Sequence, residues 1–197
     1  MTAFVHPTAT VEPGAHLGDG TSVWHQAHVR TEAVVGDGCT LGKNVFVDRG
    51  VHVGHRVKIQ NNVSVYAGVT LGDDVFVGPS AVFTNDLHPR AFNASWTLTP
   101  TEVERGASIG ANATIVCGTR IGSFALVGSG AVVVRDVAPH QLVVGNPARH
   151  AGWVCTCGHT MPPASPGGGR EEPPAGDAVC PTCHEPWRRP LPTWSEP

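Results

Sequence analysis

Large apolar residues recur at every sixth position from Val5 to Phe83: Val5, Val11, Leu17, Val23, Val29, Val35, Leu41, Val47, Val53, Ile59, Val65, Leu71, Val77 and Phe83. After a gap the series resumes as Val103, Ile109, Ile115, Ile121, Val127 and Val133. Two residues before each stands a smaller one, as in Ala3, Ala9, Ala15, Ala27, Ala33, Cys39, Val45, Val63 and Ala81. Inward positions on a strand are two apart, so each unit of six gives one small and one large inward side chain and then a turn. Glycine often follows the large residue, as at Gly18, Gly36, Gly54 and Gly110. It is expected there to supply the backbone conformation of a tight corner. Hairpin sandwiches do not hold one period for so long; a hexapeptide β-helix does. Three units close a triangular coil of about 18 residues, and the chain is long enough for about six or seven coils spaced roughly 4.8 Å apart.

The register breaks between Phe83 and Val103, which are two residues more than three units apart. Residues 84–102 are therefore predicted to leave the coil as a loop, the part of a repeat scaffold that commonly carries function. Its polar residues Asn85, Asp86, His88 and Arg90, beside Phe92 and Trp96, have the composition of a site wall. The repeat fades after Val133, and residues 137–154 are expected to end the stack. The predicted organisation is a β-helix domain over 1–153 and a cysteine-rich tail over 154–197. Within the tail, Met161 to Ala178 is rich in Pro, Gly and Glu and is expected to be a mobile loop.

Charged residues make up only 15% of the chain and the net charge is −3, which argues against nucleic acid or an anionic membrane as a partner. The first residues lack a basic segment followed by an apolar run, and no stretch is long enough to span a bilayer, so the cytoplasm is the expected location. Thiols stay reduced there, and six cysteines then suggest metal binding or packing. Cys180-Pro181-Thr182-Cys183 has the spacing of half a zinc ribbon. Cys155-Thr156-Cys157 departs from it by one residue, leaving His159 or His184 as alternative ligands. Four protein ligands make such a zinc structural, and a useful place for it is over the last coil. Cys39 and Cys117 fall within the repeat and read as structural.

The strings KIQNNVSVY, GPSAVFTN, RGASIGANATIVCG and VVGNPAR carry a more specific resemblance, which covers about residues 1–153. The chain resembles the bacterial nucleotide-sugar N-acetyltransferases that acylate a 3-amino group. That resemblance implies a left-handed parallel β-helix, acetyl-CoA as co-substrate, a UDP- or dTDP-linked amino sugar as acceptor, and a homotrimer with active sites between subunits. Asn85, in the matching FTN string, is expected to orient the amine. Asp86 is suited to balance an ammonium group, and His88 to take a proton. His25, His28 and Arg30 lie where similar sequences face the nucleotide sugar, with Arg30 suited to a carboxylate or phosphate. Asn62 has the chemistry to reach sugar hydroxyls or to stack in a polar ladder, and Arg90 completes the loop's wall. Arg135 and Arg149 are candidates for the CoA phosphates. Other readings are a different acyl group or amine, or a trimeric scaffold without turnover. A metal-dependent hydratase of the γ-carbonic-anhydrase type needs three converging histidines, and His52 and His55 do not complete that pattern.

Overall fold

The computed structural model describes residues 2–93, 95–165, 167–169 and 172–187. The expected tail, 154–197, thus lies partly outside the described residues. Most strands are two residues long, and none of the described residues is helical. Through the regular coils each strand pairs in parallel with the third strand after it, as Phe4 with Ser22, Ser22 with Thr40 and Thr40 with Lys58. The strands sort into three sheets, visited in strict rotation. These are the three sides of a prism, and the corners between them are numbered below in the order the chain turns them. A parallel β-solenoid of stacked hexapeptide coils is the architecture that the sixfold period requires.

The large and small inward series form one continuous core from Val23 to Val143. The first coil is the exception. Val5 is 40% exposed, and Val11 and Leu17 are half-buried, because no other described residue covers that end. Three threonines, Thr21, Thr101 and Thr119, take small inward positions; Thr21 Oγ1 donates to the Gly36 carbonyl at 2.7 Å and accepts from the Cys39 amide at 3.0 Å.

The glycines that follow the large residues do not serve the expected purpose. Left-handed backbone instead occurs two residues later, on Gly20, Gly38, Asn44, Arg56, Asn62, Asp74, Ser80 and Asn112, with φ from 56° to 70°. Gly18, Gly36, Gly54 and Gly110 are needed for close stacking. A Cβ on Gly36 would lie 2.6 Å from the Gly54 carbonyl oxygen, and one on Gly110 would lie 2.4 Å from the Ser129 nitrogen. Coil spacing, not turn conformation, keeps these positions bare.

Below the break, Lys58 pairs with Phe76 and Ser64 with Val82; above it, Phe76 pairs with Ser108 and Val82 with Thr114, a much wider sequence offset. The whole excursion therefore lengthens a single coil. The interval from Phe83 to Val103 is one ordinary six-residue step plus that insertion, not three units and two residues. Parallel winding ends with Gln141–Val144, which pairs with Leu126–Val127. The chain then reverses through the cis Asn146–Pro147 peptide into Arg149–Val154, antiparallel to Gln141–Val144, and Thr160–Met161 adds one more antiparallel strand. Strand Arg149–Val154 runs across the expected boundary at 153, so the tail begins inside a sheet of the helix.

Candidate functional site

In this fold equivalent residues of successive coils stack one above the other. The second corner thus carries the column Glu12, Arg30, Asp48, Tyr66 and Thr84, and the loop leaves the prism from it. Its stem is tightly held. Thr84 Oγ1 accepts from the Cys117 amide at 2.9 Å, the Thr99 amide donates to the Asn85 carbonyl at 3.2 Å, and the Gly118 amide donates to the Pro100 carbonyl at 2.9 Å. Leu98 packs on Gly68, where a Cβ would come within 2.5 Å of its Cδ2. Asn85 and Asp86 are half-buried at this stem, while His88 and Arg90 are exposed further out. Asp86 Oδ1 accepts from the His88 amide at 2.8 Å, which shapes the first turn of the loop. Arg90 Nη1 donates to the Pro89 carbonyl at 2.7 Å. Phe92 is 87% and Trp96 47% exposed at the loop tip.

Lower in the same column, Arg30 sits between two carboxylates: its Nη1 is 3.0 Å from Asp48 and its Nε 3.6 Å from Glu12. Glu12 also accepts from the Thr31 amide and pairs with His28 Nε2 at 2.8 Å. The Thr31 amide, then His28 and Arg30, hold the Glu12 carboxyl below its usual range. His28 lies on the outer face of the second side with its ring edge against Phe46, which in turn meets Tyr66. Three coils separate Arg30 from Asn85, a rise of about 14 Å. Glu12 and Asp48 escaped the sequence reading; their only signal is that they stand one coil below and one coil above Arg30.

His25 and Asn62 lie apart from these, on the first corner. His25 stacks on His6 with ring centroids 3.6 Å apart and borders a shallow groove with Trp24, Lys43 and Asn61. Asn62 is a left-handed corner residue whose Oδ1 accepts from Asn44 Nδ2 at 3.0 Å, a polar ladder between coils. Arg135 and Arg149 meet at the closed end of the stack. Both line a cleft of about 360 Å³ with Val133, Asp136, Ala148 and His150. His52 is exposed and His55 Nδ1 accepts from the Asp37 amide; neither belongs to a metal-ligand cluster among the described residues.

The tail does bring ligands together. Sγ atoms of Cys155, Cys157, Cys180 and Cys183 all lie within 4.8 Å of one another. Cys155 to Cys183 is 3.6 Å and Cys157 to Cys180 is 3.7 Å. Disulfide sulfurs would be about 2.0 Å apart. Tetrahedral zinc with bonds of about 2.3 Å sets thiolate sulfurs about 3.8 Å apart. The Cys183 and Thr182 amides bring the Cys180 thiol down to about 6. The Glu185 amide favours a thiolate at Cys183 too, but burial and the other three sulfurs outweigh it and push that thiol up to about 12. Four sulfurs this close cannot all ionise without a cation among them, so the donor set fits a zinc ion. His159 and His184 stand outside the four-sulfur set.

Comparison with known proteins agrees with this geometry. The description "Hexapeptide repeat of succinyl-transferase" matches residues 32–67 and 100–135, and "Bacterial transferase hexapeptide (six repeats)" matches residues 50–85. The dTDP-3-amino-3,6-dideoxy-α-D-galactopyranose 3-N-acetyltransferase of Aneurinibacillus thermoaerophilus is 46% identical over 156 residues, 79% of this chain and 81% of that protein. This chain belongs to the hexapeptide-repeat nucleotide-sugar N-acetyltransferases. Among solved members of the wider hexapeptide class, an acetyltransferase of Vibrio cholerae in complex with acetyl-coenzyme A is 30% identical. The match covers 70% of each chain, with a TM-score of 0.51. WeeI of Acinetobacter baumannii, 22% identical with a TM-score of 0.52, shares the fold; the match spans 73% of this chain and 55% of that one. For an N-acetyltransferase of this build, the second corner is the place where a loop, a half-buried amide and a carboxylate stand together above the prism surface.

Proposed function

We propose that the protein transfers the acetyl group of acetyl-CoA to the 3-amino group of a nucleotide-linked sugar, as a cytoplasmic homotrimer. The observation that carries this reading is the 46% identity, over four-fifths of the relative's length, to an enzyme whose name states 3-N-acetyl transfer to a dTDP-linked 3-amino sugar; the donor is supported by the likeness to an acetyltransferase solved with acetyl-coenzyme A. In the reaction the neutral amine attacks the thioester carbonyl, the new C–N bond forms through a tetrahedral oxyanion, and the C–S bond breaks to release the CoA thiolate, which takes up the proton the amine gives away. The protein's main task is to hold amine and carbonyl in line.

Asn85 is positioned for that task. Its backbone carbonyl is committed to the stem, which leaves the side-chain oxygen to accept from the amine and aim its lone pair. Asp86 beside it balances the ammonium form before proton loss, and His88, one turn out, relays the proton. Arg90 and the exposed rings of Phe92 and Trp96 roof the sugar. His28 and Arg30 contact its nucleotide end from the adjacent copy, with Glu12 and Asp48 fixing the arginine's direction; His25 and Asn62 belong to the same surface. Arg135 and Arg149 receive CoA phosphates at the terminal cleft. Support for the trimer comes from the second side, whose outward residues Thr10, His28, Phe46, Ser64, Val82, Thr114 and Val132 include no carboxylate and no lysine or arginine. The four tail cysteines hold a structural zinc.

Thiol release from acetyl-CoA over a panel of UDP- and dTDP-linked 3-amino sugars tests the reaction; no turnover with any acceptor, in a protein that still forms trimers, favours a scaffold. Replacing Asn85 by Ala removes one hydrogen bond to a reacting amine, about 1.5–3 kcal/mol, or roughly 10- to 150-fold in kcat/KM. Its melting temperature should barely move. A variant within twofold of wild type takes Asn85 out of the mechanism.

A further inference from the structure

The cysteine centre is joined to the β-helix by more than chain continuity. Cys155 directly follows Arg149–Val154, the strand that closes the first side by pairing with Gln141–Val144. Cys157 follows in the turn, where the Gly158 amide donates to the Cys155 carbonyl at 2.8 Å and the Cys155 amide to the His159 carbonyl at 2.9 Å. The other two ligands come from a knuckle at 178–187, closed by the Cys180 amide to the Glu185 carbonyl at 2.9 Å and the Trp187 amide to the Ala178 carbonyl at 2.7 Å. That knuckle has almost no core of its own. Its buried cluster is Trp153, Cys155, Met161, Cys180 and Trp187, and Trp153, Cys155 and Met161 belong to the end of the helix sheet or follow directly from it. Trp187 sets its edge on His140 at 5.0 Å and on Trp153 at 6.3 Å. His140 is the last left-handed corner residue of the stack, and its Nδ1 binds the Val154 carbonyl at 2.8 Å.

We propose that zinc held by Cys155, Cys157, Cys180 and Cys183 acts as the end cap of the β-helix, pinning the 178–187 knuckle onto the final turn and locking strand Arg149–Val154 in place. This rests on the zinc reading above and not on the transferase reading. The two ends of the prism differ accordingly: the first coil leaves Phe4 and Val5 exposed, whereas the last is covered by two tryptophans. A knuckle this small cannot stay docked by burial alone, and without the ion it should detach and free the terminal sheet edge.

The test uses full-length protein purified without chelators. Metal analysis should find about one zinc per chain. After zinc removal by excess chelator, amide exchange followed by mass spectrometry should quicken at least tenfold over residues 141–154 and stay unchanged over residues 40–83. Cys180→Ser with Cys183→Ser should reproduce the pattern. Trp187→Ala should keep the zinc yet speed exchange over 141–154, which separates docking from metal binding. No zinc in the purified protein overturns the metal site itself. Zinc that can be removed with exchange over 141–154 unaltered overturns the cap and leaves the site. Protection lost equally over 40–83 overturns a local cap.

Discussion

Gly36 and Gly20 both occupy the third corner, and giving each a methyl group should harm the protein for different reasons. In Gly36→Ala the new Cβ would lie 2.6 Å from the Gly54 oxygen, 2.7 Å from its carbon and 2.9 Å from the His55 nitrogen, all backbone of the next coil. Real Cβ atoms essentially never come within 3.0 Å of such a neighbour, and these neighbours are backbone, so the two coils must part there. The bonds from the Gly36 amide to the Val53 carbonyl, 2.9 Å, and from the Asp37 amide to His55 Nδ1, 3.0 Å, must stretch with them. Overpacking of this kind costs about 1–3 kcal/mol, and weakening two hydrogen bonds adds about 1 kcal/mol. The lower entropy of the unfolded chain returns about 0.4–1 kcal/mol. The net expectation is a loss of about 2 kcal/mol. In Gly20→Ala nothing lies within 4 Å of the new atom, but φ is +70°. A left-handed alanine costs about 1–2 kcal/mol, and the same entropic return leaves a loss of about 0.5–1 kcal/mol. At roughly 2–4 °C per kcal/mol for a chain of this size, calorimetry should show a drop of about 4–8 °C for Gly36→Ala and about 1–4 °C for Gly20→Ala. Equal drops, or the reverse order, would refute the claim that coil spacing rather than turn conformation excludes a side chain at Gly36.

The remaining predictions are smaller. Burial holds the pKa of His140 below its usual value, outweighing its bond to the Val154 carbonyl. The unfolded chain therefore binds the extra proton first, so this contribution is complete above about pH 6.5 and is lost as pH falls from there toward the depressed value. Denaturation measured from pH 7.5 to 5 should show a shallower acid loss in His140→Gln, and an unchanged slope would exclude His140 as its source. Gln26 has φ of 57° on an exposed corner, where its amide donates to Thr8 Oγ1 at 3.2 Å. Gln26→Gly keeps that backbone bond and relieves the strain, so it should stabilise by about 0.5–1 kcal/mol in urea titrations; a destabilised variant would contradict the assignment.

Much of this was legible because the core is one-dimensional. The inward residues were readable one by one from Val23 to Val133, since every coil repeats the same two positions. The loop was visible as a break in that period, though not its size: the pairings of Phe76 with Ser108 and Val82 with Thr114 show that the whole excursion belongs to one coil. The candidate site residues were legible as chemistry and not as geometry. Asn85 and Asp86 are held at the stem, His88 and Arg90 stand further out, and His25 and Asn62 sit on another corner. The four cysteines were plain, but the irregular Cys155-Thr156-Cys157 spacing left the ligand set open until all four sulfurs were seen within 4.8 Å.

By itself the sequence determined the repeat, the three-sided winding and the stacking core, because a strand period of two nested in a coil period of six leaves one way to bury the same side of every unit. Only the tertiary structure decided what happens at the corners and the ends. Contacts there join residues a full coil or more apart in the chain: Arg30 with Asp48, Gly36 against Gly54, Trp187 against His140. Such contacts depend on how closely one coil settles on the next, which no short stretch of chain encodes.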